Sequence, residues 1–195
     1  DTLGYEWVDA DMGGVDPEGV FGRLDAMVGA MEDRLEGEGC IVAGVACALP
    51  GLVTSERQLL TARNLGWENI DLSRFDVMRR YDVRPGNEAK MAAIAQIPGY
   101  ACARADVFDG VDCADSFLYL SCDIGIGGAI VRDGEIVSGS HGFAGEIGHV
   151  SVSLDGPLCG CGRRGCLETY AGRRALVEAS GVAEKNAASS GEALE

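Results

Sequence analysis

The feature that most constrains this chain is a knot of cysteines, CGCGRRGC, at residues 159–166. Cys159, Cys161 and Cys166 are interleaved with glycines at 160, 162 and 165, which let the backbone fold sharply enough for three sulfurs to meet. His149 lies a short way upstream. Three thiolates and one imidazole are a standard tetrahedral set for a structural Zn²⁺, closed to water, so such an ion braces a loop and performs no hydrolysis. Free thiols or a redox pair are the alternatives. A redox pair usually has two residues between its cysteines; one separates Cys159 from Cys161, which favours zinc.

The other five cysteines, Cys40, Cys47, Cys102, Cys113 and Cys122, stand singly in apolar or mixed surroundings. They are expected to be small buried hydrophobes. A chain of 195 residues with 47% hydrophobic content has material for one domain or two small ones. No apolar run approaches the ~20 residues of a membrane span, and the opening DTLGYEWVDADMGG lacks the pattern of a secretory signal. The expected setting is the cytoplasm, with no membrane partner and with thiols kept reduced. Sixteen Lys and Arg against 31 Asp and Glu leave a net charge of −15, a field that repels nucleic-acid phosphates. These residues are therefore not expected to touch DNA, and the acidity reads as a solvated surface.

Val20, Leu24, Met27, Val28, Met31 and Leu35 recur at helical spacing, with Asp16 placed as N-cap and Pro17 at the first helical position. The run IVAGVACAL (Ile41 to Leu49) then predicts a buried parallel strand, so helix followed by strand points to an α/β fold. A polar stretch through Asn64, Gly66 and Trp67 leads to a short helix near Leu72–Tyr81 and a short strand near Asp82–Arg84. A further helix opens at Asn87 and stops at Pro98 and Gly99. Residues 99–116 read as a passage between lobes. FLYLSC, GAIV and EIV (117–137), with a turn at Asp133 and Gly134, predict an antiparallel meander. Residues 139–166 are glycine-rich and irregular, LETYAGRRALVEAS (167–180) is helical, and the polar tail is expected to fray.

HGFAGEIGHVSV followed by CGCGRRGCLE closely resembles the signature of the ROK family of bacterial sugar kinases and sugar-responsive repressors. ALPGLV, ARNLGW and GNEAKMAAIA also resemble family segments in the family's order, so the resemblance runs from about Ile41 to Arg174. It implies the actin-like ATPase (ribonuclease H-like) fold in two lobes, incomplete in this chain. Residues 1–110 are expected to be the remainder of the N-terminal lobe and 111–195 the start of the C-terminal lobe with the zinc loop. By the same resemblance Glu146, His149 and Glu168 hold sugar hydroxyls, His149 serving both sugar and metal. Carboxylates accept from hydroxyls, and an imidazole bound to zinc through one nitrogen still offers the other. Asn87 would bind sugar; Glu88 stands where the family has the aspartate that acts as general base, so it is catalytic only in a kinase. Gly51 and Asn64 match positions that line the same cleft. Glu88 and Glu168 also sit at predicted helix starts, where a carboxylate favours the helix dipole with no further role.

Three departures separate kinase from sensor. Asp123 and Ile124 replace the family's phosphate-cradling Gly-Thr; a carboxylate repels phosphate and isoleucine offers no donor. The family's first phosphate loop and its later adenosine segment have no counterpart here, so the chain reads as the middle of a longer protein. Glu88 adds one methylene to the aspartate, and a misplacement of about 1 Å can cost on the order of a hundredfold in rate. ATP is therefore not expected as a ligand. The expectation is the sugar-sensing part of a ROK-family repressor for a hexose or amino sugar. It would act as a homodimer and reach DNA through a winged helix-turn-helix outside this chain. The alternative is a fragment of an ATP-dependent sugar kinase.

Overall fold

The computed structural model describes residues 15–54, 56–97, 116–122 and 124–181. Helices and strands are mixed along the chain, and the chain divides into two compact units, Asp1–Pro85 and Gly86–Glu195. That division differs from the boundary expected at 110/111; of residues 99–116, expected to join the lobes, 99–115 lie outside the described residues.

The first unit is organised by α1 (Pro17–Gly37). Asp16 caps it by accepting from Gly19 N at 2.8 Å, and Pro17 begins it, where a missing N–H costs nothing. One turn in, Phe21 is 1% exposed, stacks on Phe75 at 4.0 Å between centroids and meets Trp67 at 6.2 Å. Leu59, Leu72, Met78 and Val83 complete this core, with Val20, Leu24 and Val28 of α1 at its margin.

Beneath α1 the chain forms an antiparallel sheet of β2 (Leu52–Val53), β3 (Gln58–Ala62) and β4 (Trp67–Asp71). The β3–β4 hairpin occupies the segment expected to be a polar stretch. Its buried side chains are Leu59, Ala62 and Trp67, whose indole N–H donates to Val15 O at 2.8 Å. Gly66, left-handed at φ 70°, closes the turn between the strands. A 3-10 turn (Leu72–Arg74), capped by Asp71, and α2 (Asp76–Arg80) follow where a short helix was expected.

β1 spans only Ala46–Leu49 and pairs with β5 (Arg84–Asn87), the strand in which the division between the units falls. The expected strand from Ile41 is thus cut short, and Ile41 itself is 89% exposed. Val45, Cys47 and Leu49 pack on the core while Ala46 and Ala48 face outward, a one-sided burial that a two-stranded ribbon allows. The strand expected at 82–84 begins two positions later because Asp82 takes a left-handed φ of 47° and ends the preceding turn.

In the second unit α3 (Glu88–Ile94) lies on the meander of β6 (Phe117–Cys122), β7 (Ile126–Arg132) and β8 (Glu135–Ile136). The β6–β7 register is unbroken from Phe117↔Val131 to Cys122↔Ile126. Asp133 and Gly134, both at positive φ, form the two-residue turn before β8, the chemistry a tight hairpin demands. Ala89 and Ala93 are the helix's buried residues; small side chains let α3 approach the sheet, where Ala129 and Val131 meet it. Burial alternates along β6, so Phe117 and Tyr119 face this core while Leu118 and Leu120 are exposed.

Two sequence expectations need correction here. LETYAGRRALVEAS is two helices, α4 (Glu168–Ala171) and α5 (Arg173–Ser180), because Gly172 is extended and starts the second helix by accepting from Leu176 N. Cys40 and Cys122 are exposed and Cys47 is half-buried, so none of them is the buried hydrophobe expected; Cys102 and Cys113 lie outside the described residues. Among the described residues no helix is long and apolar enough to cross a membrane.

Candidate metal centre and its carboxylates

The irregular segment after β8 is held together by its own backbone. Val152 N donates to Gly165 O at 2.7 Å, Gly165 N to Pro157 O at 2.8 Å and Cys159 N to Arg163 O at 2.8 Å. Bridges Ser151↔Cys166 and Leu158↔Arg164 add to them. Gly162 and Gly165 supply left-handed turns at φ 88° and 63°. The result gathers His149, Cys159, Cys161 and Cys166, whose ligand atoms all lie within 4.8 Å of one another. Cys159 and Cys166 are buried, while Cys161 and His149 are half-buried.

The spacing fits one tetrahedral ion. Zn–S bonds of about 2.3 Å place two sulfurs about 3.8 Å apart, and a sulfur and an imidazole nitrogen about 3.6 Å apart. Cys161 Sγ and Cys166 Sγ are 3.6 Å apart, and Cys159 Sγ is 3.7 Å from His149 Nδ1. Bonded sulfurs would stand at about 2.0 Å, so these are thiols. Burial pushes the Cys161 thiol up, but hydrogen bonds from the Arg163 backbone and guanidinium, and from Cys159 and Cys166, outweigh it and bring it down to about 7. Burial, with the hydrogen bonds to Cys161 and Cys159, pushes Cys166 up to about 12. A cation at the centre would displace these protons, since thiolate is the ligating form.

Beside this knot stand the carboxylates. Glu146 begins the 3-10 turn Ile147–His149; burial pushes its carboxyl up, Lys90 and His149 pull it down, and Glu168 adds to the rise. These four side chains thus share one electrostatic neighbourhood. Glu168, the first residue of α4, accepts from Ile126 N at 3.0 Å and so reaches the start of β7. Asn87 caps α3 by accepting from Lys90 N at 3.1 Å, which turns its amide oxygen toward the helix. Glu88 is exposed in the first turn of α3.

Lys90 joins the site without having been among the residues expected there. Its ammonium donates to Gly142 O, tying α3 to the glycine-rich loop. The signal was there: Lys90 is the lone cation in the otherwise alanine-rich EAKMAAIA.

Gly51 and Asn64 belong to the first unit. At Gly51, φ is 95° and a Cβ would stand 2.0 Å from Thr61 O, so the backbone alone demands glycine there. Asn64, exposed on the turn between β3 and β4, lines a shallow groove of about 490 Å³ with Asp16, Pro17 and Trp67. Asp123 lies outside the described residues; Ile124 is 62% exposed.

The ROK family model matches residues 18–192. The chain belongs to the ROK family. It is 31% identical to the xylose repressor of Bacillus subtilis over 144 residues, which is 73% of this chain and 35% of that protein. Among solved structures it is similar to a ROK family transcriptional regulator homologous to the E. coli MLC protein. That match has a TM-score of 0.64 and 27% identity over 85% of this chain and 40% of the other. It is also similar to a ROK family glucokinase from Streptomyces griseus in complex with glucose and AMPPNP. There the TM-score is 0.66 and the identity 30%, over 88% of this chain and 53% of the other. ROK regulators and kinases share the actin-like ATPase fold, and this α/β chain carries part of it. The chain spans about a third of the length of the curated relatives it matches.

Proposed function

We propose that this chain is the sugar-binding part of a ROK-family transcriptional repressor working in the cytoplasm, with one structural zinc held by His149, Cys159, Cys161 and Cys166. The observation that carries the reading is the place of His149: its Nδ1 stands 3.7 Å from Cys159 Sγ inside the cluster of four ligand groups, while Glu146, which also feels Glu168, lies close beside it. Zinc would hold the loop and orient the ring, leaving Nε2 as the atom that meets a hydroxyl. Glu146 and Glu168 accept from further hydroxyls, and Asn87, with its oxygen committed to the α3 cap, contributes as donor. Glu88, Gly51 and Asn64 are kept as sugar-binding candidates on the resemblance alone.

Two sequence features favour sensor over enzyme. Ile124 supplies no hydroxyl to a phosphate, and Asp123 puts a carboxylate where the family's kinases have glycine. Similarity to the glucokinase favours the second reading, a fragment of an ATP-dependent sugar kinase in which Glu88 is the general base. In the repressor reading, a second copy and a winged helix-turn-helix outside this chain complete the DNA-binding form, and sugar shifts its population.

The deciding experiment uses the full-length protein. Calorimetric titration with pentoses, hexoses and N-acetylhexosamines, repeated with MgATP, should yield binding of one sugar class with no turnover. Phosphorylation at ordinary rates of ~1–100 per second would reject the repressor reading. Silence across the panel would reject sugar binding altogether.

A further inference from the structure

The loop between β8 and the 3-10 turn at His149 has two unequal halves. Its second half is fastened to the sheet, where the backbone at Gly145 and Gly148 runs against Gly128, Ala129 and Ile126. Its tip, around His141 to Phe143, is more open: His141 and Phe143 are exposed, and Gly142 has no atom near the place a Cβ would take. The tip's own bonds are local, Ala144 N to Ser138 O at 3.1 Å and Ser140 Oγ with His141 Nδ1 at 3.0 Å. Lys90 reaches across from another element. It sits one turn into α3, its backbone N–H is fixed by the Asn87 cap, and its ammonium donates to Gly142 O while its charge acts on Glu146.

We propose that Lys90 is a positioning residue that clasps the tip of the 139–146 loop to α3, so that Asn87 at the helix start and Glu146 at the loop's end hold one fixed spacing. This rests on the sugar-binding reading for its consequence, not for its geometry. Methionine has nearly the length of lysine without a donor or charge, whereas arginine keeps both. In Lys90→Met the clasp is gone, the tip samples open forms, and sugar binding must re-order it.

Hydrogen exchange on the ligand-free full chain tests the clasp without any sugar. Exchange of the 139–144 amides, Ala144 above all, should quicken roughly tenfold in Lys90→Met, the effect of losing one charge-assisted hydrogen bond at a half-exposed site. Lys90→Arg should restore native exchange. Sugar affinity should fall by a similar factor in Lys90→Met and recover in Lys90→Arg, a rescue that mere loss of packing would not show. Native exchange in Lys90→Met, or equally fast exchange in Lys90→Arg, overturns the proposal. If the native chain binds no sugar, the reading of the site fails on its own, and the exchange comparison still decides the clasp.

Discussion

Gly165 offers a sharp quantitative test of how the cysteine loop is built. Its φ is 63°, and a Cβ there would stand 1.6 Å from Ser153 O, a backbone atom that moves only if the 152–156 turn moves. In Gly165→Ala the left-handed backbone costs ~1–2 kcal/mol, and relieving the overlap costs a further ~1–3 kcal/mol. The expected loss is therefore about 2–5 kcal/mol, and it falls on the bonds from Val152 N to Gly165 O and from Gly165 N to Pro157 O that flank Cys166. Gly162 is the internal control: φ is 88°, but no atom lies within 4 Å of its Cβ position, so Gly162→Ala should cost only the backbone term, ~1–2 kcal/mol. Urea unfolding followed by circular dichroism, with metal retention in the presence of a chelator, reads both variants. Equal costs for the two, or a Gly165→Ala variant within 0.5 kcal/mol or so of native, the ordinary spread of surface substitutions, would refute the reasoning.

Phe21→Ala removes a ring stacked between α1 and Phe75 and should cost the first unit about 3–5 kcal/mol in denaturant unfolding; a loss below ~1 kcal/mol would mean α1 is not seated as described. Asp71 accepts from the Ser73 hydroxyl and N–H, which hold its carboxyl below the ordinary 3.8. Its contribution to stability is thus present above that value and is lost as pH falls through the lowered one, so the gap between native and Asp71→Asn should narrow in acid; a constant gap down to acid unfolding would contradict it.

Much of this was legible in the residues because the signals were local. Asp16-Pro17 before a 3.6-residue apolar stripe identified α1, and Asp133-Gly134 between two β-rich runs identified the β7–β8 turn. The cysteine knot was readable because its ligand types and glycines sit within one short stretch. The β3–β4 hairpin was not: its strands QLLTA and WENID mix polar with apolar residues, and only the packing of Trp67 on Phe21 shows which face is inside. The same holds for Ile41 and Cys40, apolar by type yet exposed in the segment before β1, which begins only at Ala46. Lys90 escaped because its meaning depends on a carbonyl fifty-two residues away, a distance no periodicity reports.

Metal analysis of the protein purified without added metal, with X-ray absorption at the zinc edge, tests the central claim most directly. The account requires one zinc per chain, bound by three sulfurs at about 2.3 Å and one nitrogen at about 2.0 Å. A folded protein without zinc, or one in which two of Cys159, Cys161 and Cys166 are joined in a disulfide, would contradict it.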